Sequence, residues 1–262
     1  MKIKTYQILN IIGLIGVITI NFLANALPIA GKNTGELSDL YPSLFTPAGF
    51  TFSIWGIIYL LLIIFTVYQA KGIFGESNIP RNKFLYRIDI WFFVSSLANM
   101  AWIFAWHHQI IWLSMVLMLV ILGSLLLIYL RLGIGLRTIE KKEKYLVDLP
   151  FSLYLGWMTV ATIANAATVF VNYNWDGFGI SPEIWATLMI AIATVITLIV
   201  LFTRKDLLYS LVIIWAFIGI ILKRTSPGQE FYLSIIIAAA AGIFLIAATI
   251  IFQAAKRFVK KA

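Results

Sequence analysis

Long apolar runs alternate with short polar stretches along the whole chain. Eight runs fall at about 6–27, 48–70, 88–107, 109–130, 147–171, 183–203, 207–222 and 231–254. A helix needs about 17–25 residues to cross the hydrocarbon core of a bilayer. The seventh run is short, so its ends reach into the headgroup layer. Backbone groups in lipid must be bonded internally, which leaves helices or a closed barrel. Barrel strands are alternating segments of about ten residues, and these runs are longer and continuous. The pattern therefore predicts an all-α fold: a polytopic transmembrane helix bundle of about eight spans.

The loops carry the orientation. With the N-terminus inside, the inner segments hold Lys2 and Lys4, then Lys71, Arg81, Lys83 and Arg87, then Arg131, Arg137, Lys141, Lys142 and Lys144. They continue with Arg204 and Lys205, and end with Lys256, Arg257, Lys260 and Lys261. Only Lys32, Lys223 and Arg224 fall outside. The positive-inside rule then predicts both termini in the cytoplasm. A miscounted span would scramble this separation, so the charges support the helix count.

Composition agrees. The 262 residues are 61% hydrophobic and 12% charged, against about 25% charged in a typical soluble domain. Such a chain needs lipid as part of its solvent. A net charge of +9 in a soluble protein would suggest nucleic acid. Here the basic residues sit between apolar segments, and the expected partner is the lipid bilayer, not nucleic acid. There is no cysteine, which excludes disulfides, thiolate catalysis and cysteine-ligated metals. Lys2 and Lys4 before an apolar run, with Ala24-Asn25-Ala26 after it, resemble a cleavable signal. That run is longer than a usual signal core, so the first helix is read as retained.

No Lys, Arg, Asp or Glu lies near the middle of any span; Asp89 sits close to the inner start of the third. A charge at a helix centre costs about 2.5–3.5 kcal/mol on insertion scales and is kept where it works. Its absence argues against proton relays, ion-driven transport and a retinal-bearing lysine. There is no phosphate-binding Walker pattern and no His-Glu-x-x-His. His107 and His108 are the only histidines. Adjacent helical residues point about 100° apart, so interfacial hydrogen bonding is preferred to a shared metal. No acid–base pair or activated nucleophile is visible, and the chain is not expected to be an enzyme.

Polar and aromatic residues inside the spans carry the rest. Span two holds Trp55 and Tyr59, four apart and on one helix face. Span three holds Asn99, Trp102 and Trp106. In span five, Trp157, Ala161 and Asn165 form a narrow stripe beside Tyr154 and Thr162. Trp55 lies about eight residues into its span, roughly 12 Å at 1.5 Å per residue. Asn99, Trp102 and Asn165 fall at a similar depth, in the outer half. Aromatic walls with few polar groups are the composition of a ligand pocket. Interfacial anchoring by the aromatics and helix–helix bonding by the amides remain the alternative. The longest outer segment, about 28–47, carries the breakers Pro28, Gly31, Gly35 and Pro42. It either folds over such a pocket or is an ordinary solvated loop.

These residues resemble the translocator protein / tryptophan-rich sensory protein (TspO/MBR) family. Tyr154-Leu155-Gly156-Trp157, then Ala161-Thr162 and Asn165, match its Tyr-Leu-x-Trp, Ala-Thr and Asn spacing. Asn99 and Trp102 match its Asn-x-x-Trp, and Pro47, Trp55 and Tyr59 match the start of its second helix. In that helix Thr46 or Ala48, and Gly49 beside Phe50, stand where the family has a second proline and an extra tryptophan. Pro150 lies three residues earlier than the family's fifth-helix proline. The resemblance covers a five-helix unit, residues 1–175, and leaves residues 176–262 as three additional transmembrane helices of unknown role.

The resemblance implies binding of a flat hydrophobic molecule, a porphyrin such as haem or protoporphyrin, or a sterol, with no cofactor required. Trp55, Trp102 and Trp157 would stack on the macrocycle beside Tyr59. Ala161 would let the ring approach the helix, and Asn99 and Asn165 would hold polar edges. The expected protein is a receptor or sensor in the cytoplasmic membrane. The alternative is a passive or substrate-driven transporter of small apolar solutes. Gly56 and Ala98 are small enough for contacts in a homodimer, although single small residues carry little weight.

Overall fold

A computed structural model describes residues 3–27, 31–71, 73 and 83–259, and not the side chains of 257–259. Lys2, Pro28, Arg81, Lys260, Lys261 and the side chain of Arg257, all used in the loop reading, lie outside the described residues. Those residues form a helical bundle with no strand. The helices are α1 (Ile3–Ala26), α2 (Thr34–Asp39), α3 (Ile54–Gln69), α4 (Phe84–Ile88), α5 (Trp91–His107) and α6 (Ile111–Leu132). There follow α7 (Lys141–Glu143), α8 (Leu149–Asn172), α9 (Pro182–Arg204), α10 (Leu207–Thr225) and α11 (Leu233–Val259). A 3-10 turn, Gly49–Ser53, leads into α3, and a π-helical segment, Lys144–Asp148, leads into α8.

Seven of these elements are long and apolar enough to cross a membrane. The remaining expected crossing is α5. It is shorter, at 17 residues, because α4 and α5 are separate helices broken at Asp89, whose φ is +56°. It packs between α1 and α6. The protein is thus an all-α polytopic membrane protein. Large apolar side chains such as Ile12, Ile15, Leu60, Ile199 and Phe244 remain exposed. Lipid, not water, is the medium that tolerates them.

Local chemistry sets the helix ends. Ser181 caps α9 and Pro182 takes its first position, where a missing N–H costs nothing. Asp206 caps α10, its carboxylate accepting from the N–H groups of Leu208 and Tyr209. The same buried carboxylate accepts from Tyr129 Oη at 2.9 Å and Ser152 Oγ at 2.6 Å, tying α10 to α6 and α8. Arg204 donates to the Ile134 carbonyl just beyond α6, and Gly135 (φ +80°) lets the Arg204 backbone pass. Arg131 pairs with Asp89 at 3.1 Å. The Tyr6 hydroxyl, and after it Arg131, hold the Asp89 carboxyl below its usual range. Arg131 and Arg204, two of the basic residues used in the loop reading, thus also donate to backbone carbonyls, those of Tyr86 and Ile134.

At the same end, α1 and α3 are joined by amides. Asn10 Nδ2 donates to Gln69 Oε1 at 2.9 Å, and Gln69 Nε2 donates to the Gln7 carbonyl at 3.2 Å. α1 runs unbroken through Ala24 and Ala26. α10 packs on α8, and α9, α10 and α11 pack on one another.

Candidate functional site

A cavity of about 660 Å³, counting the space that opens outward, lies between α3, α5, α6 and α8. Six of the seven residues singled out from sequence line it: Trp55, Asn99, Trp102, Trp157, Ala161 and Asn165. Tyr59 does not. It lines a neighbouring groove between α1 and α3 that shares Thr34, Phe52, Trp55 and Trp102 with the cavity. One helical turn below Trp55, it stacks on that indole with centroids 5.4 Å apart.

The aromatics form a connected set. Trp157 meets Trp55 edge-on at 6.3 Å and Phe52 edge-on at 5.8 Å. Trp102 stacks on Trp106 at 5.4 Å and an interplanar angle of 15°. Each of Trp55 and Trp102 therefore has one ring face covered by a protein aromatic. The Trp157 indole N–H is buried without a hydrogen-bond partner among the described residues, as is the Tyr59 hydroxyl. Such groups are uncommon in folded proteins and each calls for an explanation.

The two asparagines are already engaged. Asn165 Oδ1 accepts from Trp102 Nε1 at 3.0 Å, and its Nδ2 donates to Ser114 Oγ at 3.1 Å. Ser114 in turn donates to the Ile111 carbonyl. One carboxamide thus joins α5, α6 and α8. Asn99 Oδ1 accepts from Asn21 Nδ2 of α1 at 2.8 Å. In this structure both amides orient the walls.

Ala161 and Ala164 keep the α8 wall low, and Met158 and Thr168 complete it. The hydroxyls of Thr162 and Thr168 bond back to their own helix, at the carbonyls of Met158 and Ala164. Thr168, the one of the two that lines the cavity, therefore adds little polarity to it.

The outer segment folds over the cavity: Thr34, Ser38, Thr46 and Pro47 all line it. Asn33 and Glu36 form a capping box that starts α2. His107, fully buried, bonds Thr34 Oγ1 at 3.2 Å, and Trp106 Nε1 donates to the Thr34 carbonyl at 3.2 Å. His107 thus serves in hydrogen bonding, as preferred from its position, while His108 is exposed. Among the described residues no cluster of His, Cys, Asp or Glu could hold a metal. His107→Phe is expected to loosen α2. Losing one bond of about 1 kcal/mol corresponds to roughly fivefold faster amide exchange across 34–39. Unchanged exchange there would show that the remaining ties, Trp106 to the Thr34 carbonyl and Lys223 to Asp39, secure the segment without His107.

Sequence reasoning missed Asn21, Phe52 and Ser114, and it named Trp106 in span three without placing it among the ligand-binding residues. Asn21 was accessible as one of the few amides in the first apolar run, and Trp106 as the next residue on the Trp102 face. Ser114 had no distinguishing signal, because small hydroxyl residues are common in membrane helices.

The model of the TSPO-like protein family matches residues 7–252, running through α9, α10 and α11 as well as the five-helix unit. No curated protein matches the chain, and no solved structure does. With nearly its whole length covered, the chain belongs to the TSPO-like protein family.

Proposed function

We propose that this protein is a receptor or sensor for a flat hydrophobic ligand, a porphyrin-type tetrapyrrole or a sterol. The guest is held in the outer half of the cytoplasmic membrane, and both chain termini face the cytoplasm. The observation that carries this reading is the convergence of Trp55, Trp102 and Trp157, from three helices, on one apolar cavity beneath the outer loop. Aromatic walls with few polar groups favour a flat, polarizable guest. Trp55 and Trp102 both front the cavity as surfaces on which a flat guest stacks. The unpaired indole N–H of Trp157 favours a guest that presents an acceptor, because a buried donor without a partner costs about 1–3 kcal/mol. The basic inner segments support the orientation. Porphyrin or haem is here the guest, not a resident cofactor.

Titration in lipid nanodiscs tests the reading. Protoporphyrin should quench tryptophan emission saturably, with about one guest per chain, and a sterol that competes for the cavity should reverse it. Quenching that rises linearly with the concentration of porphyrin in the lipid would remove the receptor reading.

A further inference from the structure

The roof of the cavity is held from outside the five-helix unit. The roof segment, 46–52, contributes Thr46, Pro47 and Phe52 to the lining. It passes through an extended residue, Ala48, into the 3-10 turn Gly49–Ser53. A single 3-10 turn has poor hydrogen-bond geometry and little stability of its own. One face of α10 supplies what it lacks. Trp215, Gly219 and Lys223 are spaced i, i+4, i+8 and form one stripe.

Each member of the stripe touches the outer segment. Trp215 Nε1 donates to the Thr51 carbonyl at 3.0 Å, and its ring meets Phe50 edge-on at 5.3 Å. The Gly219 carbonyl accepts from Ala48 N–H at 3.0 Å. The approach is so close that a Cβ at Gly219 would lie 2.2 Å from Thr51 Oγ1 and 3.0 Å from Pro47 Cβ. Lys223 pairs with Asp39 at the end of α2 at 3.1 Å.

α10 is fixed in turn on the helix that forms the opposite wall. Gly156, next to Trp157, lets α8 and α10 meet so closely that a Cβ there would lie 3.0 Å from the Tyr209 carbonyl. The Tyr209 hydroxyl donates to Thr159 Oγ1 at 3.0 Å. Roof and wall are thus held in register through α10.

We infer that α10 is the positioning element of the ligand site: Trp215 and Gly219 hold the roof over the cavity and so set how fast a guest enters and leaves. The inference rests on the reading of the cavity as a ligand site, since neither residue lines it. It gives the C-terminal third of the chain a task that packing alone does not. Trp215 and Gly219 are positioning residues, and their effect is on exchange rate, not on the surface a guest touches.

The absence of native cysteine permits a clean test on the full chain in nanodiscs. Thr46→Cys places a near-isosteric reporter in the roof itself, at a cavity-lining position that is 3% exposed. Its reaction with a small maleimide is measured in that background alone, then combined with Trp215→Phe and with Gly219→Leu. Trp215→Phe keeps an aromatic ring and removes one hydrogen bond. Labelling should accelerate roughly two- to tenfold, and dissociation of bound protoporphyrin from the Trp215→Phe protein with Thr46 intact should accelerate by a similar factor. Gly219→Leu, which displaces the roof outright, should exceed both. Equal labelling rates in the reporter and Trp215→Phe proteins, with helicity and elution volume unchanged, would overturn the inference even if the leucine variant fails to fold. Faster labelling with unchanged porphyrin dissociation would also overturn it. If the parent chain binds no porphyrin, the receptor reading falls and with it the role in guest exchange, while labelling still reports whether α10 holds the roof.

Discussion

Alanine at position 157 is expected to abolish saturable protoporphyrin quenching and to lower unfolding stability by about 3–5 kcal/mol. Trp157 is 1% exposed and touches both Phe52 and Trp55. Truncation leaves a void that helices fixed at both ends cannot close, and the lost contacts dominate the cost. Phenylalanine at the same position separates packing from chemistry. It fills most of the space, so stability should fall by less than about 1.5 kcal/mol. It lacks the unpaired indole N–H, so porphyrin affinity should still drop roughly tenfold if a guest acceptor uses that donor. Thermal unfolding and fluorescence titration of the two variants, side by side, check this. Wild-type affinity in Trp157→Phe would show that the donor is not used.

Asn165→Leu should have the second largest effect, a loss of about 2–3 kcal/mol together with weakened binding. Helix–helix hydrogen bonds in membranes contribute only about 0.6 kcal/mol on average, because the separated helices find other partners. Most of the cost comes from the group the substitution strands: the buried Trp102 indole N–H loses its partner, while the Ser114 hydroxyl loses a donor but keeps its own bond to the Ile111 carbonyl. A stranded buried donor costs about 1–3 kcal/mol. Trp102 would then lose the bond that fixes its ring against Trp106. Ser114→Ala made on top of Asn165→Leu should cost less than on the parent, with a coupling of about 0.5–3 kcal/mol. Strict additivity of the two changes would show that the amide and the hydroxyl act independently.

Most of the fold was legible along the chain, because lipid imposes a length and an internal hydrogen-bonding requirement that apolar runs of this size meet as helices. The exception was the third crossing, where the break at Asp89 rests on a backbone conformation that the apolar pattern does not encode. The site was partly legible. Helical spacing put Trp157, Ala161 and Asn165 on one stripe, and equal depth brought Trp55, Asn99 and Trp102 level with it. Tyr59 shares a helix face with Trp55 yet lines the adjoining groove, because one turn along α3 is enough to pass out of the cavity.

The sequence by itself determined the class of the protein, its helical segments, the placing of its charges between apolar runs and most of the indoles and amides that line the cavity. These follow from one-dimensional rules: length, period and the cost of placing charge in lipid. Only the tertiary structure decided which amide bonds which indole, which donor is left without a partner, and that Gly219 of α10 supports the roof beside Thr51. Those depend on contacts between residues far apart in the chain, some separated by more than 150 positions. Spacing along one helix carries no information about such contacts.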